Sequence, residues 1–472
     1  MRPDRWRRST HLAVGLAVLA LVVVVVAVTA LFTAGGQDIS AAHPAPPSAT
    51  SQPGVIPVTD TAAMPTTRGL AATLAKALAD PNLGTLTGSV ADAMTGKQLW
   101  QQRGGLPMQP ASVNKLLTAA AALLSINRDT RVTTRVVAAD QDRHPGLVVL
   151  VGGGDPTLSA AAPGQKTWYR GAARISDLAD QVRRSGVAAT KVQVDTSVFR
   201  GPVMAPGWDP ADIGGGDIAP IESAMLDGGR IQPTTVNSGR SLTPALDAGR
   251  ALAAALKVDP RTVTVVSRLV DGAVSRPVDG AREVASVRSA PLLQRLRQMM
   301  NYSDNVMAEC IGREVAAAMH RPLTFAGAAH AVTNRLAAAG IDMAGARLFD
   351  SSGLSVDDRL TAKSLDAVVQ GAVAADQPAL RPLLDLLPIA GGSGTLSNRF
   401  FYSEDPGAPG SAAGWLRAKT GSLTGTNSLA GMVTDRSGRV LTFALISNDA
   451  GPTGLTAIDA LATTLWTCGC RA

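Results

Sequence analysis

The run Ala111-Ser112-Val113-Asn114-Lys115-Leu-Leu-Thr-Ala-Ala-Ala-Ala-Leu-Leu124 follows Pro110 and places a serine and a lysine three residues apart at the head of an otherwise apolar segment. A segment apolar nearly all round belongs inside a core as a helix, and proline suits its entry. Residues at i and i+3 then share one helix face, about a turn apart. A serine hydroxyl is a poor nucleophile at its free pKa and needs a base within hydrogen-bond reach. Burial makes a lysine give up its proton more readily, and a second cation nearby pushes the same way. The stretch therefore predicts nucleophile and base, Ser112 and Lys115, on a buried helix whose capped end is Ser125-Ile126-Asn127.

By itself Ser-x-x-Lys is a weak pattern, but this chain makes it selective. Of its eight lysines only Lys115 has a serine three positions before it, and only Lys419 opens a Lys-Thr-Gly. Ser303-Asp304-Asn305 stands between the two in chain order. Competing chemistries are poorly supported. The five histidines form no His-x-x-x-His pair, which disfavours a zinc peptidase, and no metal site is expected. Gly391-Gly-Ser393-Gly-Thr395 fails the Gly-x-Ser-x-Gly pattern at its last position, and Gly152-Gly-Gly154 lacks the Lys-Ser/Thr of a phosphate loop. No nucleotide or other cofactor is implied.

Outward from the motifs, helix is expected over Leu70 to Ala79, followed by two strands around Thr95-Gly96. From Arg128 to about Arg288 β-branched alternation, as in Leu147-Val-Val-Leu-Val151, predicts one or more mostly-β subdomains. Helical texture returns from Ala290 to Ala318. Gly414 to Lys419, Asn427 to Thr434 and Arg439 to Ser447 read as three consecutive strands before a helix from Thr453 to Trp466. The plan is an α+β catalytic domain, with residues 68–127 as its first half, 128–288 inserted, and 289–472 as its second half.

At 472 residues and 46% apolar content the chain can build two or three real cores. Its formal charge of +7 is scattered apart from Arg2, Arg5, Arg7 and Arg8, which argues against a nucleic-acid surface. Leu12 to Thr33 carries no charge and suffices to cross a hydrocarbon core of ~30 Å. With arginines before it, residues 1–11 are expected in the cytoplasm, 12–33 as a membrane anchor, 34–67 as a Pro/Ala/Ser/Thr-rich tether, and the rest on the extracytoplasmic face. Cleavage near Ala30 to Gly35, as for a signal peptide, is the alternative. Cys310 is expected buried, and a bridge between Cys468 and Cys470 would be strained.

Together the three motifs resemble the signature of penicillin-binding proteins and class A β-lactamases. Further segments narrow the resemblance, namely Gly153-Gly-Asp155-Pro-Thr-Leu158, Asn301-Tyr-Ser-Asp-Asn305, Asp350-Ser-Ser-Gly-Leu-Ser355 and Leu387-Pro-Ile-Ala-Gly391. From about residue 66 onward the chain is similar to D-alanyl-D-alanine carboxypeptidases/endopeptidases of the class C low-molecular-weight penicillin-binding type, the peptidase S13 group. The 191 residues between Ser112 and Ser303 exceed what compact lactamases place there, and no Glu occurs between Glu314 and Glu404 to activate a deacylating water.

The resemblance implies a transpeptidase-like domain, an antiparallel sheet flanked by helices, that acts on peptidoglycan stem peptides and is inhibited by β-lactams. It implies that Ser303 relays a proton between Lys115 and the leaving amine, and that Asn305 holds the substrate amide and Lys115. Lys419 and Thr420 would meet the terminal carboxylate, Gly421 would leave room for substrate, and backbone N–H groups of Ser112 and Ser422 would form the oxyanion hole. Asp304 is expected to be structural. Asp155 would meet the amino group of the stem's diamino acid, or else is a turn residue before Pro156. Where relatives carry arginine after Ser-Gly-Leu-Ser this chain has Val356, with Arg359 three residues on. A β-lactamase and a non-catalytic penicillin-sensing or wall-binding module are the competing readings.

Overall fold

A computed structural model describes residue 58 and residues 61–266, 281–400 and 412–468, within a compact unit spanning Ile56–Ala472. The expected anchor at 12–33 and most of the tether lie outside the described residues. Among the described residues no helix is long and apolar enough to cross a membrane.

Among the described residues ten strands form two sheets. Strands β1 (Thr85–Asp92), β2 (Gln98–Gln102), β8 (Leu416–Leu423), β9 (Thr426–Thr434) and β10 (Val440–Asn448) make an antiparallel sheet in the order β2-β1-β10-β9-β8. Segments distant in sequence meet inside it, because β1 pairs β10 from Thr85 opposite Asn448 to Asp92 opposite Leu441. β10 is buried on both faces, as its nearly unbroken apolar run demands. Leu441, Phe443 and Leu445 face a core shared with the helices Thr67–Leu78 and Gly454–Thr467. Ala444 and Ile446 face the opposite core, with helices Lys115–Ser125, Asn305–Ala318, Phe325–Ala338 and Ala362–Val373. Period-two alternation thus splits one strand between two layers.

The second sheet contains β3 (Thr133–Ala138), β4 (Leu147–Val151), β5 (Lys191–Asp195), β6 (Thr264–Val266) and β7 (Arg282–Arg288), in the order β6-β5-β4-β3-β7. Among its described residues the insertion is not mostly β. β4, β5 and β6 are parallel neighbours, and parallel strands require crossovers, which the helices Ile175–Arg184 and Pro244–Leu256 supply. The first shows the helical period plainly, burying Ile175, Leu178, Ala179 and Val182.

Cys310 is free and buried, as expected. Cys468 is disulfide-bonded.

Candidate active site

Ser112 lies in a 3₁₀ turn, Ala111–Asn114, that runs directly into the helix Lys115–Ser125. Helical spacing places Lys115 Nζ 2.8 Å from Ser112 Oγ. The same Nζ donates to Asn305 Oδ1 at 2.6 Å and to the Ser352 carbonyl at 2.8 Å. Burial pushes the Lys115 ammonium down to about 8, against the opposing pull of the carboxylates of Asp350, Glu309, Asp304 and Asp358. Once deprotonated, the amine keeps two hydrogens for Asn305 and Ser352, and its lone pair is left facing Ser112 Oγ.

The turn is set by crowding. Ala111 adopts φ 52°, a left-handed conformation that is strained for alanine by roughly 1–3 kcal/mol. Gly353 permits it, since a Cβ there would lie 2.0 Å from the Ala111 carbonyl oxygen. Asp350 fixes the Gly353 turn by accepting from the backbone N–H groups of Ser352, Gly353 and Ser355 and from Trp208 Nε1. From the sheet side, Ser428 Oγ donates to the Pro110 carbonyl at 2.6 Å. A Cβ on Gly421 would stand 2.2 Å from Ser428 Oγ and 2.9 Å from Ser112 N. Gly421 is therefore required for close approach of β8 to the nucleophile turn, a reason different from the room for substrate first assigned to it.

Ser303 ends the helix Leu292–Tyr302 in a left-handed conformation, φ 55° and ψ 38°. Asp304 then caps the helix Asn305–Ala318 by accepting from Met307 N–H at 2.9 Å. Two helices thus meet at the motif, and Ser303 and Asn305 emerge from the break between them. Asp304 itself is buried, accepts from the Tyr169 hydroxyl at 2.7 Å and faces Arg230 at 3.9 Å. Burial works to raise its pKa, but Arg240 and Arg230 together with the hydrogen bonds from Tyr169 and Met307 hold the carboxyl below its usual range. Asn305 Nδ2 donates to the Asp217 carbonyl at 2.9 Å, which turns Oδ1 toward Lys115.

Lys419 projects from β8 and donates to Ser303 Oγ at 2.9 Å and to the Thr420 carbonyl at 2.7 Å. Burial holds its pKa well below the ordinary lysine value, and the charges of Lys115 and Arg399 add to that effect. Among the described residues Lys115 makes no hydrogen bond to Ser303, so the hydroxyl's direct partner is Lys419 rather than Lys115. Thr420 Oγ1 and Thr395 Oγ1 are 2.7 Å apart. Ser422, two positions past Thr420, is exposed.

Ser112, Lys115, Ser303, Asn305, Lys419, Thr420 and Gly421 are therefore gathered into one cluster. Asp155 is not part of that cluster. It is 2% exposed, and its Oδ1 accepts from Thr157 N–H and Oγ1 at 2.8 and 2.6 Å, so it serves as the turn residue. Val356 is exposed, and Arg359 donates at 2.8 Å to the carbonyls of Val356 and Asp358 in its own loop. Sequence reading missed Tyr169, Arg230, Trp208 and the Asp217 carbonyl, which lie far from the motifs in sequence. Asp350 stood in a segment singled out for resemblance alone. Among the described residues no group of three or more His, Cys, Asp or Glu is arranged to hold a metal ion.

A family model described as D-Ala-D-Ala carboxypeptidase 3 (S13) family matches residues 70–241 and 237–465. The chain belongs to this family. As a member it is a serine-type peptidase of the D-Ala-D-Ala carboxypeptidase class. A second model, the Carboxypeptidase Rv3627c-like N-terminal domain, matches residues 1–57. The chain is 66% identical to Carboxypeptidase DacB of Mycolicibacterium smegmatis and 64% identical to Carboxypeptidase Rv3627c of Mycobacterium tuberculosis, in each case over 100% of both chains. The crystal structure of penicillin binding protein 4 (dacB) from Haemophilus influenzae superposes with a TM-score of 0.66 at 21% identity, covering 86% of this chain and 100% of that one. At that identity the likeness is one of fold.

Proposed function

We propose that this S13 peptidase acts on peptidoglycan stem peptides through an acyl-enzyme on Ser112, releasing the terminal D-Ala or the diamino-acid amine of a cross-link. The observation that carries the reading is Lys115 Nζ, 2.8 Å from Ser112 Oγ and otherwise engaged by two fixed carbonyl oxygens. Lys115 takes the hydroxyl proton as Oγ bonds to the substrate carbonyl carbon. The C–N bond then breaks, and Ser303, backed by Lys419, delivers a proton to the departing amine. Water hydrolyses the ester, which frees the shortened peptide as a carboxylate and restores Ser112. Backbone N–H groups of Ser112 and Ser422 stabilise the oxyanion, and Lys419, Ser303 and Thr420 receive the substrate's terminal carboxylate.

β-Lactams are expected to acylate the same serine and remain bound, because no Glu occurs between Glu314 and Glu404 to activate a deacylating water. Residues 12–33 are taken as the anchor that holds the enzyme on the extracytoplasmic face of the membrane, with 34–67 as its tether. Fluorescent penicillin should label the protein and fail to label Ser112→Ala. Labelling that survives that substitution, or wild-type protein that releases no D-Ala and cuts no cross-link, sinks the assignment. Rapid penicillin turnover would establish the β-lactamase reading instead. A mature protein whose N-terminus begins past residue 30 would remove the anchor.

A further inference from the structure

Beside the cluster lies a cleft of ≈ 1530 Å³ whose inner wall includes Tyr302, Gly394 and Arg417. Each adjoins a residue of the site. Tyr302 precedes Ser303, and Gly394 precedes Thr395, the partner of Thr420. Arg417 stands two positions before Lys419 on β8, on the same side of the strand. The cleft therefore begins where the proposed carboxylate-binding groups end. The insertion adds Trp168 and Arg170 to the lining, with Trp168 packed beside Tyr302. Trp168 is fixed in place, with the Arg230 guanidinium 4.0 Å from its ring centroid and the Tyr302 ring at 5.4 Å. Tyr302 remains 57% exposed, so this aromatic surface is open to a ligand.

Charge gives the ligand its character. Lys166, Arg170, Arg297 and Arg417 line the cleft against two carboxylates, Asp129 and Asp385. None of the four cations is ion-paired among the described residues. A free D-Ala leaving group is met completely by Ser303, Thr420 and Lys419 and makes no use of such a cleft. An acidic peptide on the leaving side would use its length, its cations and its aromatic surface.

We infer that this cleft is a leaving-strand subsite, occupied by the second stem peptide of a cross-link, whose free carboxylates bind Arg170, Arg297 and Arg417. The inference rests on the function proposed above. It adds no chemistry to that reaction, since the C–N bond breaks as before and the amine departs with its proton into the cleft.

The test compares the full-length protein with Arg170→Glu/Arg297→Glu, both surface positions outside the Ser112 cluster. On a cross-linked dimer kcat/KM should fall about tenfold or more, the loss expected for a charge-assisted contact. Removal of D-Ala from a monomeric pentapeptide and acylation by penicillin should stay at wild-type values, which also shows that the variant is folded. Amidating the leaving stem's carboxylates, other than the one beside the departing amine, should slow the wild type on the dimer by a similar factor and leave the variant indifferent. Equal losses on both peptides, or no loss on the dimer, overturn the subsite. So does wild-type protein that trims pentapeptide but never cuts the dimer, an outcome that leaves Ser112 and its reaction standing. If the wild type processes neither peptide, the proposed function and the subsite fall together.

Discussion

The two sides of the active site are braced by different means. On the nucleophile side, position is set by backbone crowding, with Ala111 strained against Gly353 and β8 pressed onto the turn at Gly421. Trp208, which donates to Asp350, is the insertion's link there. On the Ser303 side, position is set by polar contacts from the insertion, through the Tyr169 hydroxyl, Arg230 and the Asp217 carbonyl. Crowding tolerates no added atom, whereas a hydrogen-bonded brace can lose one partner and keep the rest. The two sides should therefore fail by different amounts and in different ways.

Gly353→Ala is the largest blow. It puts a methyl 2.0 Å from the Ala111 carbonyl oxygen at a residue with φ +81°, so the nucleophile turn must move. A displacement of about 1 Å costs roughly 10²-fold in rate, so penicillin acylation should fall by about that factor and thermal stability should drop as well. Gly421→Ala should slow acylation comparably, through its contact with Ser112 N. Wild-type rates in both variants would remove crowding as the cause.

The pH profile of acylation comes next. Lys115 must be neutral to act as the base and holds its proton below about 8. The rate should therefore climb about tenfold per pH unit up to that point and then level. Because its folded pKa lies below the ordinary 10.5, the unfolded chain binds the extra proton between about 8 and 10.5. This group therefore makes the fold more stable as pH rises through that window. A flat profile from pH 6 to 9 would mean that Lys115 is not the base.

Tyr169→Phe should act more mildly. It removes one partner from the buried Asp304 and costs about 1–3 kcal/mol of stability. Met307 N–H and Arg230 still hold the carboxylate, so acylation should slow by about tenfold at most, with the pH midpoint unmoved near 8. A shifted midpoint would show that the two sides are not independent.

The same division explains what was legible in the sequence. Ser112 and Lys115 are related by one helical turn, and Thr420 and Gly421 by strand geometry, so short patterns carried them. Ser303-Asp304-Asn305 was visible as a motif, but its brace was not, because Tyr169 lies 135 residues from Asp304 and no local periodicity connects them. The pair β1 and β10 was hidden for the same reason, each strand being evident and their partnership not. The insertion misled because its strands are rich in β-branched residues, while the helix Ile175–Arg184, which makes β4 and β5 parallel, carries only four buried positions. Asp155 reads equally as a ligand or as a turn residue in the sequence, and the hydrogen bonds from Thr157 make it the turn, a distinction that depends on where Thr157 points.

The smallest effect should come from Thr395→Val, at the seam between the cluster and the leaving-side cleft. Its hydroxyl meets Thr420 Oγ1 at 2.7 Å, and the isosteric change keeps the volume while deleting that contact. Thr420 remains 7% exposed, so its hydroxyl is left with a partner to find only when a substrate carboxylate arrives. A neutral hydrogen bond contributes about 0.5–1.5 kcal/mol, which corresponds to a rise in KM of about two- to tenfold with kcat nearly kept. Penicillin and pentapeptide should feel the change alike, because both place a carboxylate at Thr420. A loss confined to the cross-linked dimer would instead move Thr395 out of the carboxylate site and into the cleft that begins beside it.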